Sequence, residues 1–212
     1  EFGQRFRRGL SDIAGLRAIL PKLAAYTPDA ELRAQWTKML ADLPPLPMKE
    51  SNGQQILAMA EKTPARVSGF EKPELYAVFP YRLFGVGRPD HEMALETWKQ
   101  RGNKRTGGWQ QDSIQAALLG LADEAKSYVT ENYSQIAPGF RFPAMWGPNY
   151  DWIPDQDHGC VPMTAMQSML LQPVGDKLLL LPAWPKEWDV SFKLHAPKNT
   201  TIECEVRNGN IM

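Results

Sequence analysis

The spacing of hydrophobic residues changes near Gly175, and this change limits the folds that the chain can adopt. Before Gln172, hydrophobic residues recur every three to four positions, which is the period of an amphipathic helix. After Gly175 they alternate with polar residues, as in a half-buried strand. The sequence therefore predicts a mainly α chain with an appended β part. The predicted helices cover 13–25, 30–43, 91–101, 109–121, 123–136 and 161–172, and the predicted strands cover 177–181, 190–194 and 202–206.

Short turns between neighbouring helices predict helical hairpins. Asp29 follows such a turn and is a good N-cap for the second helix. Pro21 lies inside the first helical pattern, so a kink or a break is expected there. A hairpin cannot cover its own apolar stripe. We therefore expect residues 1–43 to pack against the remainder of the same polypeptide, upstream of Glu1.

Turn-forming residues mark where the predicted strands end. Asn208-Gly209 predicts a hairpin turn. Only three residues follow Gly209, so we expect the β unit that begins near Gly175 to be cut short before a return strand forms. Earlier in the chain, residues 55–60 predict one short strand.

Composition narrows the classes of partner and cofactor. The formal net charge is +0, which argues against nucleic acid or an anionic membrane surface as the main partner. No apolar run approaches the length of a membrane span. The two cysteines and three histidines have no metal-ligand spacing, so we expect no metal and no cofactor.

Two carboxylates and a histidine precede the last predicted helix, in the stretch Asp155-Gln156-Asp157-His158-Gly159-Cys160. Pro162 suits the first turn of a helix, which places Asp157 just ahead of the helix start. Unpaired amides at a helix start favour an ionised carboxylate, and such a group can act as a general base. The alternative is that Asp157 only caps the helix.

A series of short motifs resembles glycoside hydrolase family 95, the family of inverting α-L-fucosidases and related galactosidases. The resemblance covers most of residues 28–212, and the order of the motifs agrees. The matching residues are Pro73-Glu74-Leu75-Tyr76-Ala77-Val78-Phe79-Pro80, Arg101-Gly102, Gly108-Trp109, Met169-Leu170-Leu171-Gln172 and Leu180-Leu181-Pro182-Ala183-Trp184-Pro185-Lys186.

This resemblance implies a fold and an activity. Residues 1–174 are expected to be the C-terminal part of an (α/α)6 helical-hairpin barrel, a six-hairpin glycosidase. Residues 175–212 are expected to begin an antiparallel β-sandwich-type C-terminal domain. The implied reaction removes terminal sugars such as L-fucose or galactose from an oligosaccharide or glycan. The family also implies a secreted or periplasmic protein.

The resemblance assigns Asp157 as the catalytic base, since an ungapped count back from the Leu-Leu-Gln motif reaches it. Asp155, two residues away, is the alternative base. The adjacent His158 is expected to orient Asp157 or bind substrate. Residues 69–74 replace a histidine-rich segment that contacts the sugar in the family. Glu71 and Glu74 lie there and are candidates for the acid, or are solvated surface glutamates.

Two further residues are candidates for substrate binding. Trp109 is expected to stack on a sugar face and Gln110 to bind sugar hydroxyls, at the start of a predicted helix. The alternative for Trp109 is a buried core residue. Trp109 and Glu74 are expected to line the same cleft as Asp157.

Two rival interpretations remain from the sequence. The first is a non-catalytic carbohydrate-binding or structural helical domain, which the altered segment 69–74 favours. The second is a lyase acting on acidic sugars, which requires arginine, tyrosine and histidine in one cleft. Tyr81-Arg82 and Arg141 are present, but they are far from His158 in sequence.

Overall fold

The computed structural model describes residues 7–63, 71–134 and 156–212, with only the backbone described at 156–158. The chain forms two compact units, Glu1–Asn103 and Lys104–Met212. In the described residues, helices are followed by antiparallel strands from Leu171 onward, which confirms the coarse fold prediction. The predicted division after residue 174 stays a prediction.

The described part of the first unit combines a helical hairpin, two antiparallel strand pairs, a 3-10 helix and one further α-helix. Its elements are β1 (Arg7–Gly9), α1 (Leu10–Tyr26), α2 (Ala30–Asp42), β2 (Met48–Ser51), β3 (Gln54–Leu57), β4 (Ala60–Lys62), a 3-10 helix (Pro73–Leu75) and α3 (His91–Lys99). β1 pairs with β4 and β2 pairs with β3, both antiparallel.

The α1–α2 hairpin forms where the sequence predicts it. The Asp29 side chain accepts hydrogen bonds from the backbone N–H groups of Glu31 and Leu32, at 2.8 and 3.1 Å, and so caps α2. A kink or a break was predicted at Pro21, and the break does not occur, because α1 is continuous from Leu10 to Tyr26. Proline removes only one backbone donor, and the buried residues of α1 hold the helix on one side.

One side of this hairpin is apolar and exposed. α2 contains no buried residue. On α1, Ile19 is 49% exposed and Tyr26 is 85% exposed. Together with Leu23 and Trp36 they line an apolar groove of about 390 Å³. The hairpin therefore does not bury its own apolar stripe within the described structure.

The segment after α2 contains three short strands, β2, β3 and β4, whereas the sequence predicted a single strand over 55–60. β2 and β3 form a hairpin around Asn52-Gly53, whose φ angles are 53° and 74°. Both residues lie in the left-handed region, which a two-residue turn of this type requires. Ala58 and Met59 then separate β3 from β4. The Asn-Gly dipeptide is the signal that predicts this hairpin.

The second unit begins with three packed helices and ends with small antiparallel sheets. Its elements are α4 (Asp112–Leu118), α5 (Ala122–Ser134), α6 (Gln156–Leu170), β5 (Leu171–Val174), β6 (Lys177–Leu180), β7 (Val190–Ala196), β8 (Thr200–Arg207) and β9 (Asn210–Ile211). α4 packs against both α5 and α6, and α5 packs against α6.

α4 differs from its prediction in length and in burial. It was expected over 109–121 with one apolar side, but it covers Asp112–Leu118 and all seven of its residues are buried. The one-sided pattern failed because α5 and α6 both cover it. A short helix that is covered on several sides buries polar as well as apolar residues.

The strands confirm the period-2 pattern and correct one expectation. β7 and β8 pair with Phe192 opposite Cys204. Beyond the Asn208-Gly209 turn a return strand does form, since β9 pairs with the end of β8. A two-residue turn brings Asn210 directly opposite Arg207, so two residues are enough to make the pairing.

Candidate functional site

The predicted site residues fall into both compact units. Glu71 and Glu74 belong to the first unit, whereas Trp109, Gln110, Asp157 and His158 belong to the second. Asp155 lies outside the described residues, as does the aromatic segment 138–154.

Asp157 and His158 lie inside a helix and not in a loop ahead of it. The last helix was predicted over 161–172, but α6 includes Gln156 and contains Pro162 in its interior. Pro162 removes one backbone hydrogen bond, and the helix continues because Val161 and Ala165 are buried. The backbone of Asp157 is therefore in the first turn of α6, where the helix dipole favours a carboxylate.

α4 and α6 are joined near their C-terminal ends. The side-chain nitrogen of Gln172 donates to the backbone oxygen of Ala117 at 2.7 Å, which joins the C-terminal ends of α6 and α4. The two helices also pack against each other.

Trp109 and Gln110 precede α4. Trp109 is half-buried, while Gln110 is only 1% exposed. Among the described residues, neither the amide nitrogen nor the amide oxygen of Gln110 has a hydrogen-bond partner. Trp109 and Gln110 therefore lie just before the N-terminus of α4, in the same compact unit as the Asp157 backbone.

Other polar residues that the sequence did not indicate are buried in the same unit, in the loop before α4, in α4 and in α5. Thr106 donates from its hydroxyl to the side-chain oxygen of Asn132 at 2.9 Å, which ties the loop before α4 to α5. The nitrogen of Asn132 and the hydroxyl of Ser113 are buried and have no partner among the described residues. We call Thr106, Gln110, Ser113 and Asn132 the α4 polar cluster.

In the first unit, Glu74 faces a cavity of about 410 Å³. That volume lies in the range of small-molecule sites. The cavity is formed by the β2–β3 hairpin, by β4 and its neighbours, by the 3-10 helix and by the end of α3. Its polar and charged lining residues are Lys49, Glu61, Thr63, Glu74, Thr97, Gln100 and Arg101.

The Glu74 carboxyl is buried in surroundings that favour its protonated form. Its Oε2 atom is buried and has no hydrogen-bond partner among the described residues. Burial raises the pKa of Glu74 above its ordinary value, and this effect exceeds the opposing effects of its backbone hydrogen bond and of Lys49, Lys72 and Arg101. Glu74 therefore holds a proton at higher pH than an exposed glutamate does.

Contacts of Arg101 and Thr97 hold the side of the cavity that is formed by the end of α3. The Arg101 guanidinium lies 3.4 Å from the centre of the Trp98 ring and donates to the Trp98 backbone oxygen at 2.6 Å. The Thr97 hydroxyl accepts from the backbone N–H of Leu57 at 3.0 Å, and so fixes α3 to β3. Thr97 was missed as a cavity residue because it joins α3 to β3, which is distant in sequence.

Glu71 differs from Glu74 in its exposure, in its position relative to the cavity and in its hydrogen bonding. It is exposed and does not line the cavity. Its carboxylate accepts a hydrogen bond from the Tyr76 hydroxyl at 2.8 Å. The geometry therefore favours Glu74 over Glu71 as the acid of this segment.

Neither a metal-ligand cluster nor a membrane-spanning helix is found in the described residues. Within the described ranges, no group of three or more histidine, cysteine, aspartate or glutamate residues is placed to hold a metal ion. None of the described helices is long and apolar enough to cross a membrane.

Comparison with known proteins adds no family. Neither a scan against protein-family models nor a search of curated proteins finds a match for this chain.

Proposed function

We propose that the protein is a glycoside hydrolase that removes terminal sugars, such as L-fucose or galactose, from a glycan. In this proposal the helices belong to an (α/α)6 barrel and the strands begin a β-sandwich-type domain. The reaction inverts the anomeric centre, as the resemblance to family 95 implies. The state of Glu74 is the observation that carries the proposal.

Glu74 has the properties of a general acid. Glycoside cleavage needs a carboxylic acid that stays protonated near neutral pH and donates its proton to the leaving oxygen. Burial raises the pKa of Glu74 and so favours this protonated form. The carboxyl faces a cavity large enough for a sugar, and its unpaired Oε2 atom is free to meet the leaving oxygen.

An inverting enzyme also needs a second carboxylate that activates a water molecule. We assign this role to Asp157, following the resemblance. Its backbone position in the first turn of α6 supports the assignment, because the positive end of a helix dipole favours a negative charge there. In this assignment His158 helps to orient the base, and Asp155 is the next candidate for it.

The test compares Glu74→Gln with Glu71→Gln on aryl glycosides of different leaving-group ability. Loss of a general acid slows substrates with poor leaving groups, by about 10²–10⁴-fold, and hardly affects dinitrophenyl glycosides. We expect this pattern for Glu74→Gln only. If both variants hydrolyse alkyl and dinitrophenyl glycosides at wild-type rates, Glu74 is not the acid.

The pH profile gives a second readout of the same assignment. A general acid must be protonated to work, so the wild-type rate should fall as the pH rises through the raised pKa of Glu74. Glu74→Gln should lose this basic limb. A basic limb that persists in Glu74→Gln would assign the acid to another group.

The second candidate function is a carbohydrate-binding domain without catalysis. The uncharged, unpaired side chains of the α4 polar cluster favour it, since they are suited to binding and not to proton transfer. Sugar binding without turnover of any glycoside in the panel would support this function over hydrolysis.

The exposed side of the α1–α2 hairpin bears on how the proposed barrel is completed. We propose that its apolar groove packs against further helices of the same polypeptide, upstream of Glu1. The exposed Ile19 and Tyr26 side chains support this packing. A longer polypeptide that leaves both side chains as accessible to solvent as they are here would contradict it.

A further inference from the structure

The charges that line the Glu74 cavity are unbalanced when Glu74 holds its proton. The lining contains two cationic side chains, Lys49 and Arg101, and two carboxyl groups, Glu61 and Glu74. The Glu61 carboxylate forms an ion pair at 3.1 Å with the guanidinium of Arg8, which does not line the cavity. With Glu74 protonated, the described lining therefore carries two positive charges and one negative charge, and that negative charge is already paired with Arg8.

The Glu74 carboxyl itself is close to three cations. Burial raises the pKa of Glu74, although Lys49, Lys72 and Arg101 all lie close enough for their positive charges to lower it. Lys72 is 4% exposed, so solvent screens its charge only weakly. The fold thus places three cations beside a carboxyl group whose burial favours its neutral form. The positive potential that results favours a negatively charged group in the cavity.

The two cations of the lining differ in how firmly they are held. Arg101 is 5% exposed, and its guanidinium lies 3.4 Å from the centre of the Trp98 ring and donates to the Trp98 backbone oxygen. Lys49 is exposed on β2, and its flexible side chain can adjust to a ligand. A ligand that enters the cavity therefore meets one fixed and one adjustable positive charge.

We propose that the Glu74 cavity binds the carboxylate of an acidic sugar, a uronic acid, to which the terminal sugar is attached. The general acid protonates the leaving oxygen, so the unit beside Glu74 is the sugar that stays on the glycan after cleavage. Lys49 and Arg101 attract its carboxylate. This inference deepens the proposed function, on which it rests, by naming the acidic class of glycan and two residues that select it.

Binding of a carboxylate at this place depends on the proton of Glu74. The charged groups that line the cavity or act on Glu74 are Lys49 on β2, Glu61 on β4, Lys72 before the 3-10 helix and Arg101 after α3. Lysine and arginine side chains ordinarily keep their charge through neutral pH. Ionisation of Glu74 adds a negative charge that repels the ligand. Affinity should therefore fall as the pH rises through the raised pKa of Glu74.

The first measurement is a calorimetric titration of the full chain with D-galacturonate and with its uncharged methyl ester, at low ionic strength. We expect the uronate to bind about tenfold or more tightly than the ester, and to lose this advantage as the pH rises. Glu74→Gln cannot ionise and should keep the advantage throughout. Equal binding of uronate and ester, no binding of the uronate, or tighter binding of inorganic phosphate than of the uronate overturns the inference.

The second measurement locates the binding site. Lys49→Met keeps a long side chain and removes the positive charge of an exposed residue, so the fold should be preserved. We expect it to lose about tenfold in affinity for D-galacturonate and none for the ester. Lys62→Met is the matched control, because Lys62 is exposed on β4 and does not line the cavity. Equal losses in both variants, or no loss in Lys49→Met, overturn the inference.

The outcome is separable from that of the proposed hydrolase. Uronate binding that depends on Lys49, without turnover of any glycoside, would sustain the acidic site and contradict the hydrolase. Turnover that depends on Glu74, with equal binding of D-galacturonate and its ester, would sustain the hydrolase and contradict the acidic site.

Discussion

Gln172 joins the C-terminal ends of two helices, because its side-chain nitrogen donates to the backbone oxygens of Ala117 at 2.7 Å and Ser168 at 2.8 Å. The residue is 2% exposed. This single amide therefore ties the last turn of α6 to the end of α4.

The first prediction follows from this contact. Gln172→Met keeps the side-chain length but removes the donor, so two buried carbonyl groups each lose a hydrogen bond. We expect a loss of about 1–3 kcal/mol in the free energy of unfolding, measured by urea denaturation. Gln167→Met, on the exposed side of α6, should change stability by less than about 0.5 kcal/mol. Equal effects from the two variants would show that the Gln172 contact contributes little.

A matched pair of threonines tests the wall of the Glu74 cavity. Thr97 and Thr37 both donate from the hydroxyl to the carbonyl four residues earlier, at 2.8 Å. Only the buried Thr97 hydroxyl also accepts from a backbone N–H, that of Leu57. Thr97→Val should therefore cost about 1–3 kcal/mol of unfolding free energy, while the exposed Thr37→Val stays within about 0.5 kcal/mol.

The same variant should also alter the cavity. Without the Thr97 hydroxyl, the Leu57 N–H is buried and unpaired, so β3 is expected to move or admit water. Hydrogen exchange at the Leu57 amide measures this directly and should become faster in Thr97→Val. Unchanged exchange together with unchanged stability would show that β3 is fixed by other contacts.

Features that depend on a few neighbouring residues were predictable from the sequence. The Asp29 cap, the alternation of Phe192 and Leu194 in β7, and the Asn208-Gly209 turn all follow from local chemistry. The same rule applied to Asn52-Gly53 predicts the β2–β3 hairpin. Local signals thus account for most helix and strand identities, although helix ends shift by several residues.

Features that depend on tertiary contacts were not predictable in the same way. The helical pattern predicted one apolar side for α4, yet packing by two other helices also buries Ser113 and Gln115. The Glu74 cavity brings together Lys49 and Arg101, which are distant in sequence. Glu74 was a candidate from the resemblance, but its burial and its raised pKa emerge only from the fold.

The raised pKa of Glu74 predicts how stability depends on pH. Burial makes the folded state bind this proton more tightly than the unfolded state does. The contribution of Glu74 to the free energy of unfolding is therefore greatest at pH values below its pKa in the unfolded chain, near 4.5. This contribution is lost as the pH rises through the higher pKa of Glu74 in the folded state. Glu74→Gln cannot ionise, so its Tm should match the wild type at acidic pH and exceed it at neutral pH.

Thermal unfolding across this pH range checks the prediction, with Glu71→Gln as the control for losing one negative charge. Glu71 is exposed and bonds to Tyr76. An equal pH trend in Glu71→Gln would attribute the effect to net charge and not to burial. A Glu74→Gln variant that is less stable than the wild type at neutral pH would show that the ionised carboxylate is stabilised in the fold.

The last prediction concerns Asp157, whose backbone lies in the first turn of α6. Asp157→Asn keeps the side-chain shape and removes the proton acceptor. If Asp157 is the base, the hydrolysis rate should fall by about 10²–10⁴-fold while sugar binding largely survives. If Asp157 only stabilises the N-terminus of α6, the variant should lose about 0.3–1 kcal/mol of unfolding free energy, because its side chain no longer interacts with the helix dipole as a negative charge. Its hydrolysis rate should then stay at the wild-type value. Measuring rate, sugar affinity and Tm on the same preparation separates the two roles. Turnover at the wild-type rate would remove Asp157 as the base and make Asp155 the candidate.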